Sequence, residues 1–357
     1  MVRATLLEAR NSGCRVEVVF CAGAEGRSWL AQLETDSIRY RFAPDIPLAA
    51  LHRWLADNVL DDHGPTVLHT HFTKFDIAAA FAARGRANVA VFWHIHSQAS
   101  ARLDVRIRNV VKYAVIGYLV KRIFCVAPDI ARRVSRLGGS AKRVVYVPNA
   151  IDTERFAFAT REDRLAARRE LGLPLDARIL LHLGWDWKRK GGDTFVATVG
   201  ALSSAGTPVL GVTVGGGELA HSSAAAWGLT DQIRVLDPRN DVRMLYAAAD
   251  VFLSPSLAEG MPFAMTEALC TGLAVVGSNI PGQAVIAEDI SACRLTALEP
   301  RALASAVRTT LARDMATVTS EGRTAHLEVV RRFDLKPWAK RMVKYYMETE
   351  VCLRRPQ

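Results

Sequence analysis

The sequence predicts a doubly wound α/β protein built in two similar halves. Three observations carry that expectation. Short apolar strands alternate with helical stretches along the whole chain, the order that produces parallel sheets covered by helices. A turn cluster at Pro148-Asn149-Ala150-Ile151-Asp152, followed by a charged helix over 161–171 that ends at Gly172 and Pro174, interrupts the alternation near its middle. The 357 residues are enough for two domains of ordinary size.

Taken in order, the first element is a helix over 2–11, closed by Gly13 and followed by a strand over 15–21. Strands follow over 66–69, 89–94, 122–126 and 144–147, with helices between them. The charged helix over 161–171 reads as the connection to the second half. That half resumes with a strand over 178–183, a basic loop and a helix to about Ser204. Strands over 209–214 and 233–236 flank a Gly-rich turn. A strand over 249–253, a helix over 263–270 and a strand over 273–276 come next, with helices expected for the remainder, the last over 335–349. Two such halves imply a cleft between them, where ligands of doubly wound folds usually sit.

Composition narrows the class. A hydrophobic content of 50% suits a globular protein with a sizeable core. The cysteines at 14, 21, 125, 270, 293 and 352 form no CxxC pair and lie mostly in apolar surroundings, as buried thiols do, so a reduced cytoplasmic protein is expected. The N-terminus lacks the apolar core and cleavage site of a signal peptide. The longest lipophilic stretch, 110–120, is broken by Lys112 and falls far short of the ~20 residues of a membrane span. The net charge of +10 is uneven: residues 1–160 carry 22 Lys and Arg against 14 Asp and Glu, a balance of +8, which leaves +2 for the rest. No aromatic–basic interleaving accompanies the basic half, which argues against nucleic acid. Basic residues flank the apolar 110–120 stretch, as in interfacial helices, and a peripheral contact with anionic lipid at the inner membrane face is the expectation drawn from it. The same pattern also fits a solvated helix that packs its apolar face on a sheet.

The densest chemistry lies between residues 254 and 268. Glu259 and Glu267 stand eight positions apart with Gly260-Met261-Pro262 between them, after an apolar strand and before a helix. Pro262 suits the first turn of that helix, where its missing N–H costs nothing. The amides of Gly260, Met261, Phe263 and Ala264 would then face outward at a helix N-terminus, a ready anion site. Carboxylates beside a phosphate-binding helix end suit a ligand that carries both hydroxyls and phosphates, such as a sugar nucleotide. A second basic loop, Lys188-Arg189-Lys190-Gly191, follows the strand over 178–183 and so sits at the carboxyl edge of the sheet; three successive cations there call for an anion. Gly215-Gly216-Gly217 fits a loose dinucleotide fingerprint, with Asp237 about twenty residues on, and keeps a dinucleotide oxidoreductase open as an alternative. His69-Thr70-His71 and His94-Ile95-His96 end two strands, each pair with its side chains on one face. Four such histidines could bind a metal, but no carboxylate-rich motif accompanies them, and no metal or other cofactor is expected. No Asp-x-Asp occurs to hold a divalent ion on a diphosphate, so the cations and the helix end would do that work.

The Glu-x7-Glu segment, the Lys190-Gly191 pair, the Gly-rich turn, the His-Ser pair at His96 and Val147-Pro148-Asn149-Ala150-Ile151-Asp152 together resemble the retaining glycosyltransferases of GT-B fold, family 4. The resemblance covers roughly 2–348 and is strongest over 178–282. It implies two Rossmann-like domains: residues 1–155 on the acceptor side, 156–334 binding the nucleotide sugar, and a C-terminal helix, 335–357, crossing back. It implies that Glu267 holds the ribose hydroxyls and that Lys190 neutralises the diphosphate. Glu259 and the amides after it would address the sugar and diphosphate, and Gly216 would line the donor pocket. His96 would face the reacting sugar, with His94 and His71 as second choices. The chain departs from the family at Trp185, where an Arg is usual, so that Arg189 or Lys188 would supply the second charge, and at Gln283-Ala284, where Pro-Glu is usual. It also begins inside the family's first helix, so the N-terminal sheet is expected without its first strand and Gly-Gly loop. The partners implied are a nucleotide-sugar donor and a glycan or lipid-linked acceptor in cell-surface glycan synthesis. A nucleotide-sugar epimerase and a non-catalytic subunit of the same fold remain as further alternatives.

Overall fold

The computed structural model describes residues 1–27, 29–60, 64–97 and 102–349; Cys352 lies outside them. The chain forms two compact units, one from residues 1–150 together with the C-terminal helix, the other from Ile151–Asp334.

In the first unit the strands are β1 (Glu17–Cys21), β2 (Arg39–Ala43), β3 (Thr66–Thr70), β4 (Val89–Ile95), β5 (Arg122–Cys125) and β6 (Val144–Tyr146). They form two separate parallel sheets, β1-β2 and β3-β4-β5-β6. The helix Val2–Asn11 serves both cores, placing Ala4 and Ala9 against the larger sheet and Leu6 and Leu7 against the smaller. Strand β2 went unread in the sequence because Arg39 and Arg41 alternate with Tyr40 and Phe42 over only five residues, a half-exposed pattern that also suits a loop.

The stretch over 110–120 corrects the expectation of one amphipathic helix. An α-helix, Leu103–Val110, passes into a π-helical turn, Val111–Val115, and then a 3-10 turn, Ile116–Leu119. The extra residue of the π turn carries Lys112 into the interior, where its ammonium lies 2.6 Å from the Asp76 carboxylate, both side chains almost wholly buried. Trp93 and Tyr113 lie about the ammonium at 5.1 and 5.3 Å. The C-terminal helix Leu335–Met347 closes this unit: Trp338, Met342, Val343 and Tyr346 join the core of β4 and β5, and the Trp338 indole donates to the Pro148 carbonyl at 2.7 Å.

The second unit holds β7 (Ile179–Leu183), β8 (Leu210–Val214), β9 (Ile233–Leu236), β10 (Val251–Ser254), β11 (Ala274–Ser278) and β12 (Cys293–Thr296), all parallel in the order β12-β11-β10-β7-β8-β9. This is the Rossmann order, reversing at the β7–β10 boundary. Apolar strands buried on both faces and the helices Gly192–Ser204 and Pro300–Leu311 supply its core, centred on Leu180, Phe195, Val199, Val251, Leu303 and Val307. The charged helix expected to connect the halves, Arg161–Glu170, belongs to this unit. A Thr160–Asp163 capping box starts it, and Arg164 and Arg168 pair with Asp250 at 2.7 and 2.8 Å, pinning it to the amino end of β10. Strand β12, a four-residue edge strand, was expected as helix. None of the cysteines among the described residues forms a disulfide; Cys125 and Cys270 are buried, whereas Cys21 is exposed. No described helix is long and apolar enough to cross a membrane.

Candidate active site

The order of the second sheet makes β7 and β10 neighbours, and the loops leaving their carboxyl ends meet at the switch point, where ligands of open α/β sheets bind. The Leu257 amide donates to the Arg189 carbonyl at 2.9 Å, tying one loop to the other. Gly191 allows the approach: its φ is +70°, and a Cβ there would sit 1.9 Å from the Pro255 carbonyl oxygen.

Across this seam the basic loop and the glutamate loop pair. The Lys190 ammonium lies 2.7 Å from Glu259 Oε1, and the Arg189 guanidinium 3.1 Å from Glu259 Oε2. Arg189 is held by a second carboxylate, Asp186, at 2.8 Å, and the guanidinium keeps Asp186 below the usual carboxylate range. The anion that the basic loop calls for is supplied here, for Arg189 and Lys190, by the protein's own carboxylates. Of the two candidates for the second charge the structure brings in Arg189; Lys188 is exposed and pairs with no carboxylate among the described residues. Trp185, two-thirds exposed, lies against Arg189 and Lys190 at 4.8 and 5.4 Å from its ring centre, a cation–π arrangement.

The helix Phe263–Cys270 begins beside this seam. Pro262 is its N-cap, in extended conformation, rather than part of its first turn as expected; the amides of Phe263 and Ala264 still lack intrahelical acceptors. Gly260, Met261 and Pro262 are buried, so the loop before the helix is held by packing. One turn into the helix, Glu267 accepts a hydrogen bond from the Tyr246 hydroxyl at 2.9 Å. Burial raises the Glu267 carboxyl above its ordinary value, against the opposing pull of Tyr246, Arg155 and Lys190. Lys190 thus acts on both glutamates of the Glu-x7-Glu segment.

Gly216 lines the turn after β8, but a Cβ there would lie 2.5 Å from the Trp187 ring. Its φ of +86° and this contact both call for glycine at the position.

Several positioning residues were not read from the sequence. Tyr246 sits among alanines in an apolar helix and carries no local signal. His182, fully buried in β7, contacts the Lys190 carbonyl at 3.2 Å and the Thr213 hydroxyl at 3.0 Å. Burial pushes its pKa down to about 4, so the ring is neutral and serves as a brace for Lys190. Gln283, at the position where the sequence departs from Pro-Glu, is buried and donates to the Ser254 carbonyl at 3.0 Å, fastening the end of β10.

In the first unit the histidines gather at the carboxyl ends of β3 and β4. His71 Nδ1 and His96 Nε2 are 2.9 Å apart. The rings of His94 and His96 stack at 4.4 Å, and those of His69 and His94 at 5.3 Å. Burial lowers His71 to about 3 and His96 to about 4, so both are neutral near pH 7. His94 has no exposed surface, so of the three candidates only His96 and His71 reach the rim.

Comparison with known proteins decides the family. The family described as Glycosyltransferase Family 4 matches residues 1–155, and Glycosyl transferases group 1 matches residues 177–313. The chain belongs to the family 4, group 1 glycosyltransferases. It is a transferase, and its class of reaction is glycosyl transfer from a nucleotide sugar in glycan synthesis. Among its relatives is the UDP-Gal:alpha-D-GlcNAc-diphosphoundecaprenol alpha-1,3-galactosyltransferase of Escherichia coli, 28% identical over 69% of this chain and 68% of that protein. Another is the D-inositol 3-phosphate glycosyltransferase of Geodermatophilus obscurus, 28% identical over 69% of this chain but 59% of that protein's length. Anabaena HepE in complex with UDP and glucose shares the fold with a TM-score of 0.83 at 18% identity, over 98% of this chain and 95% of that one. The chain has the GT-B fold of these glycosyltransferases, with two Rossmann-like units.

Proposed function

We propose that the chain transfers a sugar, with retention, from a UDP-sugar to a lipid-linked or anionic glycan acceptor. The observation that carries this is the convergence of Lys190, Arg189 and Glu259 at the β7–β10 switch point, beside the free amides of the Phe263–Cys270 helix. A donor diphosphate arriving there meets two cations and a helix N-terminus. It takes over Lys190 and Arg189 from Glu259, and the released carboxylate turns to the hydroxyls of the sugar. Glu267 accepts the ribose hydroxyls, its orientation set by Tyr246. As the glycosidic bond breaks, negative charge grows on the departing diphosphate, and the same cations and amides stabilise it without a metal ion. His96 orients the sugar or acceptor. Its neutral ring, braced by His71, offers a hydrogen bond and adds no charge. The uridine base is supported by the printed donor of the Escherichia coli relative, and the lipid-linked acceptor by that enzyme's diphosphoundecaprenol substrate.

A peripheral cytoplasmic position at the inner membrane face fits the surface of the first unit. Leu103, Ile107, Val111 and Val115 are exposed between 48% and 72%, and Arg102, Arg106 and Arg108 are exposed around them. An apolar strip rimmed with arginine suits an anionic bilayer.

Calorimetric titration with UDP, GDP and ADP tests the donor site. UDP should bind tightest, and Glu267→Gln and Lys190→Met should each weaken it by roughly 10- to 100-fold, the worth of a hydrogen bond to a charged group. Equal affinity for all three nucleotides, or wild-type affinity in both variants, would overturn the assignment.

A further inference from the structure

The histidines contain more than the transfer reaction uses. His69, His71 and His94 each present a ring nitrogen, and these three atoms lie within 4.8 Å of one another. Both nitrogens of His94, a side chain with no exposed surface, and Nε2 of His69 have no hydrogen-bond partner. A buried imidazole without partners is costly, so an unmet ligand is expected there. The remaining nitrogens are already engaged: His69 Nδ1 contacts the Tyr346 hydroxyl, and His71 Nδ1 contacts His96 Nε2. For His69 and His71 this is the outer shell of metal-binding histidines, one ring nitrogen fixed by a contact so that the other presents its lone pair.

We propose that His69, His71 and His94 form a three-histidine site for a transition-metal dication of the zinc class. Three neutral imidazoles are a fitting donor set for Zn²⁺, which takes nitrogen at ~2.0 Å and leaves its fourth tetrahedral position to water, hydroxide or an anion. Tetrahedral donors on one zinc stand ~3.3 Å apart, and the rings of His69 and His94, only 10° from parallel, turn towards one another as their lone pairs converge on the ion. Ligands at the ends of β3 and β4 would clamp the loops that carry His71 and His96. The transfer reaction is not routed through this ion, and the site stands whether or not the donor assignment does.

The test uses the untagged chain with CoCl2 and then ZnCl2. One Co²⁺ per chain is expected, with the intense visible absorption of a four-coordinate ion, bleached by one equivalent of Zn²⁺. His69→Gln and His94→Gln should each weaken binding by at least ~100-fold, and Tyr346→Phe, which touches only the outer shell, by about 10-fold. The exposed His221→Gln should leave it unchanged. Should His94→Gln lose its near-UV circular dichroism, His71→Gln, at the rim, carries the same expectation. Failure to bind either metal at millimolar concentration would overturn the proposal, as would binding that is six-coordinate or indifferent to both His69→Gln and His94→Gln. UDP titration of the same samples separates the two readings: metal bound without UDP sinks only the donor assignment, and UDP bound without metal sinks only this one.

Discussion

At the scale of single residues, the proposed donor site is a set of partners that a diphosphate would exchange. Glu259 neutralises Lys190 and Arg189 until an anion replaces it, so Glu259→Gln should free both cations. UDP itself should then bind as tightly or more tightly, while sugar transfer falls; steady-state kinetics beside UDP titration would show the split, and a parallel loss of UDP affinity would argue against the exchange. Glu267 carries a pH dependence of defined sign. In the proposed role its raised carboxyl must be ionised to accept two ribose hydroxyls, so donor affinity should fall as pH drops, beginning above the ordinary carboxyl range. A donor-KM profile against pH would show this, and Glu267→Gln should flatten it. The histidines act in the same direction, on stability. His71 and His96 are depressed to about 3 and about 4 in the fold, while an unfolded histidine titrates near 6.5. The unfolded chain therefore binds more protons below that value. Their contribution is fully present above pH ~6.5 and is lost as pH falls towards 4, by about 1.4 kcal/mol per pH unit for each histidine at most. Urea denaturation of the metal-free chain between pH 7 and pH 4 measures the slope; a flat profile would contradict the burial of these rings.

At the scale of elements, two local irregularities do structural work that regular elements could not. The π turn at Val111–Val115 turns a cationic residue of a surface helix inward, onto Asp76, whose backbone carbonyl also accepts the Trp93 indole N–H at 2.8 Å. Breaking that pair leaves a buried carboxylate without its counter-charge. Lys112→Met should cost about 3–5 kcal/mol, and the double variant Asp76→Asn with Lys112→Met should recover part of it. Equal losses in the single and double variants would show that the pair is not the stabilising unit. The second irregularity is Gly191, whose left-handed backbone lets the basic loop touch Pro255. Gly191→Ala should separate the two loops at the seam and weaken UDP binding together with thermal stability. The elements that sequence reading missed, β2 and β12, are short and carry charges in their pattern, so neither a period of two nor an apolar run marks them. The helix Phe263–Cys270 was legible to the residue, because a proline before it and a glycine after it punctuate the sequence locally.

At the scale of the whole molecule, the two units divide the candidate chemistry: the Glu-x7-Glu segment and the basic loop in Ile151–Asp334, the histidines and the basic apolar surface in the other. Sedimentation with vesicles tests the surface. Binding to anionic but not neutral vesicles is expected, lost in Leu103→Asp with Ile107→Asp; binding that ignores lipid charge would refute the bilayer contact. Most of the succession of strands and helices, β2 and β12 excepted, the family and the residues of the Glu-x7-Glu segment were determined by the sequence alone, because turn residues, apolar periods and short motifs act over a few positions. What the tertiary structure decided is who meets whom. Lys190 and Glu259 are 69 positions apart, and Tyr246 and Glu267 are 21 apart. Whether a cation is free or paired depends on which strands are neighbours, and sheet order is a property of the whole packed core. The same holds for the four histidines, whose strand-end placement was readable but whose stacked, half-unsatisfied array exists only because β3 and β4 lie side by side.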